Sequence, residues 1–471
     1  MNDPADSLDP RVKQLTESPR SGRPLRKSAG GIRITRREFT AASAAALGIL
    51  ALPRWIGAIA PQGALHVNGD RLNAHLAALS EFGKNPHGGV TRLAYSDADK
   101  AARAYVMELM RDAKLDVSVD AAGNIIGRRA GTDPSLKPIL FGSHIDSVPE
   151  GGNYDGDVGS MGAIEVAQAL GEQGVVTHHP IEVVIFQNEE GGLWGSHAMT
   201  ADLTAAELAT VSRSGKTIRD GIAFLGGDPD NLARTRRRKG DVFAYLELHI
   251  EQGGTLDRDK VDIGIVEGIV GIREWDVTIE GFANHAGTTA MADRRDAMLA
   301  AARFTEAVNR IVRSVPGRQV GTVGRIQAFP GAPNVVPGKV VLALELRDLD
   351  AKKISLLYGR IVAESKRIGA MNGTTFSFNQ FTENVPAPTT IAIRKLVAES
   401  ARELGLSARA LPSGAGHDAQ DLAQICPVGM IFVPSVAGIS HAPREFTKPK
   451  DIENGANVLL HTLLKLDRAT L

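Results

Sequence analysis

Two short apolar runs end in side chains that can bind a metal or move a proton. Ile139-Leu140-Phe141 runs into Gly142-Ser143-His144-Ile145-Asp146, and Asn153-Tyr154-Asp155-Gly156 follows. Ile181 to Phe186 runs into Gln187-Asn188-Glu189-Glu190. A buried strand that stops in polar residues delivers them at its C-terminal end. A third run, Tyr245 to Ile250, contains His249 and continues into Glu251-Gln252-Gly253. Of the 12 histidines, five lie in polar or glycine-rich contexts after apolar runs: His144, His249, His285, His417 and His441. Imidazole and carboxylate are ligands for zinc-like ions, and a catalytic site keeps one position for water. Two ions about 3.5–4 Å apart need a shared ligand, and a carboxylate suits that task. The inventory His144, Asp155, Glu190, His249 and His441 fits such a pair, with Glu189 beside a ligand and free to act as a base. Asp146, two residues after His144 on an extended segment, points to the same side and is placed to hold the imidazole's other N–H. Taken singly, a strand-end Asp or His is more often a turn or cap residue. The combination carries the metal reading.

The elements that must position these residues alternate. A helix is expected from Asn68, with Leu72, Leu76 and Leu79 on one face. Ser96-Asp97-Ala98-Asp99 has the pattern of a capping box and opens a helix to about Ala113. Strands follow at Val117–Val119, Asn124–Gly127, Ile139–Phe141 and Ile181–Phe186, with a helix from Ser160 to Leu170. Strands alternating with helices imply an α/β layered sheet. Residues 201–240 read as helical, with a basic end (Arg234, Arg236, Arg237, Arg238, Lys239) that is ordinary solvated surface.

From about Gly268 the character changes. Trp275–Glu280, Val320–Ile326, Val340–Leu346 and Thr374–Phe378 read as strands. Asp293–Val312 and Lys352–Ile368 read as helices, the first with Leu299, Phe304, Val308 and Ile311 inward. The order βαββαβ is that of a ferredoxin-like sandwich. A complete unit in mid-chain reads as an insertion, so the expected division is 61–268, an inserted 269–385, and 386–471. Val428–Val433 and a helix over Asp451–Leu466 close the chain.

Composition and charge set bounds. With 43% apolar and 23% charged residues, the chain is of ordinary globular type and long enough for more than one core. Residues 1–60 carry ten basic and five acidic side chains; the remainder carries 44 and 49. A mildly acidic body argues against a nucleic-acid surface. The single cysteine, Cys426, excludes an intramolecular disulfide and lies in an apolar stretch, as a packed thiol does. Arg36-Arg37 followed by the short apolar run Ala41–Leu52 has the pattern of a twin-arginine export signal. Residues 1–60 are therefore expected to be a disordered leader and the protein to be exported, to a periplasm for example. The competing reading is a basic tail running into a core helix.

Three stretches carry a resemblance. Gly142-Ser143-His144-Ile145-Asp146-Ser147-Val148-Pro149 through Tyr154-Asp155-Gly156, then Asn188-Glu189-Glu190-Gly191, then Leu248-His249-Ile250-Glu251-Gln252-Gly253, resemble the peptidase M20 clan. More narrowly they resemble its hydantoinase/carbamoylase amidohydrolases, namely N-carbamoyl-L-amino-acid hydrolase, β-ureidopropionase and allantoate amidohydrolase. The run His249 to Gly253 and Ala283-Asn284-His285-Ala286-Gly287-Thr288-Thr289 are specific to that branch. The resemblance spans about residue 66 to the end and implies an α/β metallopeptidase-like catalytic domain with an inserted ferredoxin-like lid and dimerisation domain.

It implies two divalent ions (Zn or Mn, with Co or Ni possible). His144 and His249 would bind one, Glu190 and His441 the other, with Asp155 shared and Glu189 activating the water. His285 would stabilise the oxyanion, from a partner subunit of a homodimer. Asn334 and Arg347 would grip a substrate carboxylate, a task suited to the bidentate guanidinium. Gln252, with Gly416 and His417 of the Gly414–Ala419 loop, would complete the pocket. Arg347 also reads as a surface ion pair, and Asn334 as a turn residue beside Pro333.

Two features depart from the family pattern. Asp157 stands where a small or apolar residue is usual, and the Gly191–His197 loop is short. The implied reaction is hydrolysis of the ureido C–N bond of an N-carbamoyl-L-amino acid. The alternatives are an M20 aminoacylase or peptidase, an allantoate amidohydrolase, or an exported binding protein with a degraded site.

Overall fold

The computed structural model describes residues 65–471. The expected leader and its twin arginines lie outside the described residues. Among the described residues no helix is long and apolar enough to cross a membrane.

Among the described residues fifteen strands run in chain order: β1 (Asp116–Val119), β2 (Ile125–Arg129), β3 (Ile139–His144), β4 (Ile181–Phe186), β5 (Ala244–Ile250), β6 (Ile263–Ile269), β7 (Gly271–Glu280), β8 (Asn284–His285), β9 (Val320–Phe329), β10 (Val335–Val336), β11 (Lys339–Asp348), β12 (Thr375–Asn384), β13 (Ala387–Pro388), β14 (Ala408–Ser413) and β15 (Val428–Val433). Nine of them form one mixed sheet, ordered β1-β2-β4-β3-β5-β15-β6-β13 with β14 beside β6. The fold is α/β. The middle of the sheet, β4-β3-β5-β15, is parallel. Both faces are covered, which is why these strands read as continuous apolar runs. Ile139 and Phe141 enter one core and Leu140 the other, as the two-residue period of a strand requires.

Helices Asp157–Glu172 and Pro449–Leu466 lie on the first face and are buried nearly all round. Because β3, β4, β5 and β15 run the same way, His144, Gln187 to Glu190, and His249 emerge along one edge. That is the carboxyl edge of a parallel sheet, where such folds place ligands.

Between β6 and β13 the chain builds a second sheet, ordered β12-β7-β11-β9 and antiparallel throughout. Helices Ala297–Ser314 and Ala351–Asn372 cover one face around Trp275, Val277, Phe304, Leu342 and Leu357. β8 and β10 form a small separate ribbon.

Several expectations change. Residues 201–240 hold only short helices, Ala205–Leu208 and Ile218–Phe224, with a 3-10 turn at Leu232–Arg234 and irregular chain between. Leu299 is 43% exposed rather than inward, because the buried stripe of its helix runs through Ala297, Ala300, Ala301 and Phe304. The Ser96 cap is present, but Asp99 turns its carboxylate to the Tyr95 amide, so the reciprocal box does not form. The helix expected from Ser160 starts at Asp157.

Candidate active site

His144 is the last residue of β3, and its side chain is buried. Its Nδ1 lies 3.0 Å from the main-chain oxygen of Asp146, to which it donates. His249 repeats the arrangement, with Nδ1 3.0 Å from the Ile250 oxygen. A carbonyl can only accept, so it fixes a proton on Nδ1 and turns Nε2 toward the cluster as the ligand atom, where His249 Nε2 also meets the Gly156 amide at 3.2 Å. The ring of His144 is thus oriented by the backbone of Asp146 and not by its carboxylate, whose Oδ1 is 3.8 Å away. That carboxylate instead accepts the amides of Glu189 (3.1 Å) and Glu190 (3.2 Å). It therefore docks the end of β4 against the end of β3.

Asp155 sits between the imidazoles. Its Oδ1 is 3.7 Å from His144 Nε2 and 3.2 Å from His249 Nε2. Its Oδ2 is 3.2 Å from His441 Nε2, which in turn is 3.5 Å from Glu190 Oε1. Two ligand groups result, His144–Asp155–His249 and Asp155–Glu190–His441, each with its ligand atoms within 4.8 Å of one another. One oxygen of Asp155 faces each group, as a bridging carboxylate would. Glu190 Oε1 is buried and has no hydrogen-bond partner. A buried carboxylate oxygen without a donor is costly unless a cation meets it, so the donor set fits divalent ions. A third grouping, Glu247–His249–His417, is not a further centre. Glu247 is already satisfied by the Ser143 hydroxyl (2.9 Å) and the Ala419 amide (3.1 Å).

Charge crowding sets the protonation of the protein groups. Burial pushes Glu189 well above the usual carboxylate range, and Glu190, Asp418, Asp146 and Asp155 add to it. Burial and then Asp155 push Glu190 up to about 8. Burial pulls His144 down to about 4. For His249 burial, the largest influence, acts downward, but Asp155 and Glu247 outweigh it and raise the group to about 9. Contact with Asp155 raises His441 to about 9 as well.

Residues 140–465 match peptidase family M20/M25/M40. The chain belongs to that family. Within it, the chain lies in the hydantoinase/carbamoylase branch. It is 42% identical over 405 residues to an N-carbamoyl-L-amino acid amidohydrolase of Geobacillus stearothermophilus, covering 85% of this chain and 99% of that protein. It is 36% identical to a ureidoglycolate hydrolase of Arabidopsis thaliana, covering 88% and 90%. A crystal structure of a hydantoinase/carbamoylase family amidase from Burkholderia multivorans superposes with a TM-score of 0.81 at 38% identity, covering 86% of this chain and all of that one.

The remaining residues of this M20 chain fall into two sets. Gln252 and His417 belong to the cluster. Gln252 donates from Nε2 to Asp155 Oδ2 (2.7 Å), and its amide donates to the Ser435 hydroxyl (3.0 Å). His417 lies beneath His249, edge to face at 4.5 Å between ring centroids, with Nε2 2.8 Å from Ser413 Oγ. It is buried, whereas the adjoining Gly416 is half-buried. Gln252, Gly414 and Ala415 line a cavity of about 420 Å³ that also meets Arg258, Arg318 and Arg409. A larger cavity of about 720 Å³ opens against Trp194, His197 and Val385, but its lining includes none of the five ligand residues.

His285, Asn334 and Arg347 lie on the inserted sheet and its ribbon. His285 pairs with Val335 across β8 and β10, and the Asn334 oxygen accepts the Ala286 amide at 2.9 Å. Both side chains are exposed, and neither hydrogen-bonds to the His144–His441 cluster. His285 Nδ1 accepts the amides of Gly287 (3.0 Å) and Thr288 (3.2 Å), which puts its proton on Nε2. Arg347 is held bidentately by Glu345, at 2.8 Å twice, and donates to the Gly414 oxygen at 2.7 Å. The ion-pair reading of Arg347 is therefore realised, and the same guanidinium touches the Gly414–Ala419 loop.

Sequence reasoning missed Glu445. Its Oε1 accepts the amides of Tyr154 (2.9 Å) and Asp155 (3.0 Å). Its Oε2 accepts the Ser440 hydroxyl (2.8 Å) and the His441 amide (3.3 Å). The one available signal was an acid four residues after His441. Asp157 is not solvated but buried against Arg92.

Gly156 is required where it is. Its φ is +67°, and a Cβ there would lie 2.4 Å from the His144 ring. Asn188, Gln252 and His441 also have positive φ, between +52° and +56°. Backbone strain of this kind gathers at sites that the surrounding structure over-determines.

Proposed function

We propose that the chain is a metal-dependent amidohydrolase that cleaves the ureido C–N bond of N-carbamoyl-L-amino acids. The observation that carries the reading is Asp155, with one oxygen toward His144 and His249 and the other toward His441 beside Glu190. These five residues would hold two divalent ions, Zn or Mn with Co or Ni as further candidates. Such ions, when bound, supply a water of lowered pKa and polarise the scissile carbonyl.

The chain's own residues do the rest. Glu189 lies 3.7 Å from His144 Nε2 with only 9% of its side chain exposed. It takes the proton of the attacking water and later gives it to the leaving amine. The low exposure and neighbouring carboxylates make it a willing proton acceptor. The products are the amino acid, carbon dioxide and ammonia. His285 Nε2–H is the donor for the developing oxyanion. Because His285 is exposed on its ribbon, we assign it to the site of a second copy in a homodimer. Asn334 and Arg347 take the substrate carboxylate once Arg347 exchanges Glu345 for substrate. Gln252, Gly416 and His417 shape the pocket around the ions. Export through the Arg36-Arg37 segment belongs to the same proposal.

The test offers N-carbamoyl-L-amino acids, N-acyl amino acids, dipeptides and allantoate side by side to metal-reconstituted protein. Preference for the carbamoyl compounds supports the reading. Preference for the acyl compounds or dipeptides would replace it with an aminoacylase or peptidase.

A further inference from the structure

We propose that Arg92 and Asp157 are positioning residues for the metal centre, tying the strand end that carries His144 to the loop that carries Asp155. The inference rests on the two-ion reading of the site.

Arg92 and Asp157 are 65 residues apart in sequence, and their side chains are 1% and 2% exposed. Arg92 Nη2 meets both oxygens of Asp157, at 2.7 and 2.5 Å. Its Nε donates to the Ile145 oxygen at 2.5 Å. Its Nη1 donates to the Leu79 and Phe82 oxygens, each at 2.9 Å, where the helix Gly69–Leu79 ends. The guanidinium has five N–H groups in a fixed fork, and every one has an acceptor here. The backbone repeats the link: the Arg92 amide donates to Ser147 Oγ (2.9 Å), and the Ser147 amide to the Arg92 oxygen (2.9 Å).

One side chain therefore grips residue 145, directly after His144, and residue 157, two after Asp155. Between them Gly156 packs so closely on the His144 ring that a Cβ would lie 2.4 Å from it. A slip of a few tenths of an ångström between the two segments would change the His144–Asp155 spacing. Residues that orient metal ligands from behind commonly contribute about 10- to 100-fold to metal affinity. A buried ion pair by itself is a weak stabiliser, and replacing both partners by apolar residues of similar volume is often neutral. Fold and metal affinity can therefore be separated.

The decisive variant is the double substitution R92M/D157L, which removes one charge of each sign and leaves the net charge unchanged. Co²⁺ alone is titrated into chelator-stripped wild-type and variant protein, with folding checked by circular dichroism. The expected result is a folded variant that binds Co²⁺ about 10- to 100-fold more weakly, with a shifted visible absorption band. A folded variant with wild-type affinity and spectrum overturns the proposal. If the double variant does not fold, D157N, which keeps the other contacts of Arg92, is titrated the same way. Weakened Co²⁺ binding supports the proposal and unchanged binding overturns it. Wild-type protein that binds no Co²⁺ overturns the metal-centre reading itself and this inference with it, an outcome distinct from the other two.

Discussion

Glu445 Oε1 lies 3.0 Å from the amide nitrogen of Asp155, although 290 residues separate the two in sequence. Its other oxygen holds Ser440 and His441. One buried carboxylate thereby fixes the loop of the shared ligand against the loop of His441. Glu445→Ala would strand buried amides, each at about 1–3 kcal/mol. The expected outcome is lower stability in denaturant titration together with weaker metal binding. Wild-type metal affinity in this variant would count against the brace.

Glu189→Gln should keep the fold and the metals and lose turnover by roughly 10²- to 10⁴-fold. Metal analysis alongside kcat checks this. Near-normal turnover would sink the base assignment.

Gly156→Ala places a methyl 2.4 Å from the His144 ring at a φ of +67°. The ring or the loop must move. Metal content after reconstitution should fall sharply, and a variant that loads normally would show that the close packing is slack.

Protons and metals should compete. His249 and His441 are raised to about 9, the first against the pull of burial and the second chiefly through Asp155. Metal binding needs the neutral imidazole. Apparent metal affinity should therefore climb from pH 6.5 to 9, about tenfold per unit for each proton displaced. Titrations at several pH values with measured proton release test this, and a flat profile would contradict it. Stability of the chelator-treated protein carries the related sign. An imidazole with a raised folded pKa contributes stability that is full below about 6.5 and lost as pH rises through 9. Glu190, raised to about 8 by burial and Asp155, acts in the same direction, its contribution lost as pH rises through 8. The treated protein should melt at lower temperature at pH 9 than at pH 6.5.

Arg347→Ala should raise KM more than it lowers kcat, because carboxylate binding is lost in ground and transition states alike. An unchanged KM would leave Arg347 only its contacts with Glu345 and the Gly414 oxygen.

Much of the fold was legible because β3, β4 and β15 are buried on both faces and read as unbroken apolar runs. The strand-end residues His144 and Glu190 stood out for the same reason, as polarity at the end of burial. What was hidden depends on distance in the chain. Nothing near Asp157 announces Arg92, and nothing near Asp155 announces Glu445. Leu299 was misplaced because small alanines, not large residues, make the buried stripe of its helix. β6 escaped notice because Gly264 and Gly268 interrupt it. The glycines are there because Phe432 and Leu411 pack on one and Pro388 on the other. Residues 201–240 contain enough helix formers to suggest helix, but Gly215, Gly226, Gly227 and Pro229 divide the stretch and leave only short helices.

A two-ion centre that hydrolyses the carbamoyl group must lose its activity with its metals. The most direct measurement is release of free L-amino acid from N-carbamoyl-L-amino acids by purified protein, before chelation, after chelation, and after stoichiometric addition of Zn²⁺ or Mn²⁺. The expected result is activity that disappears on chelation and returns as two equivalents of metal are added. Undiminished release after complete metal removal, or no release from any carbamoyl substrate by protein carrying two equivalents, would contradict it.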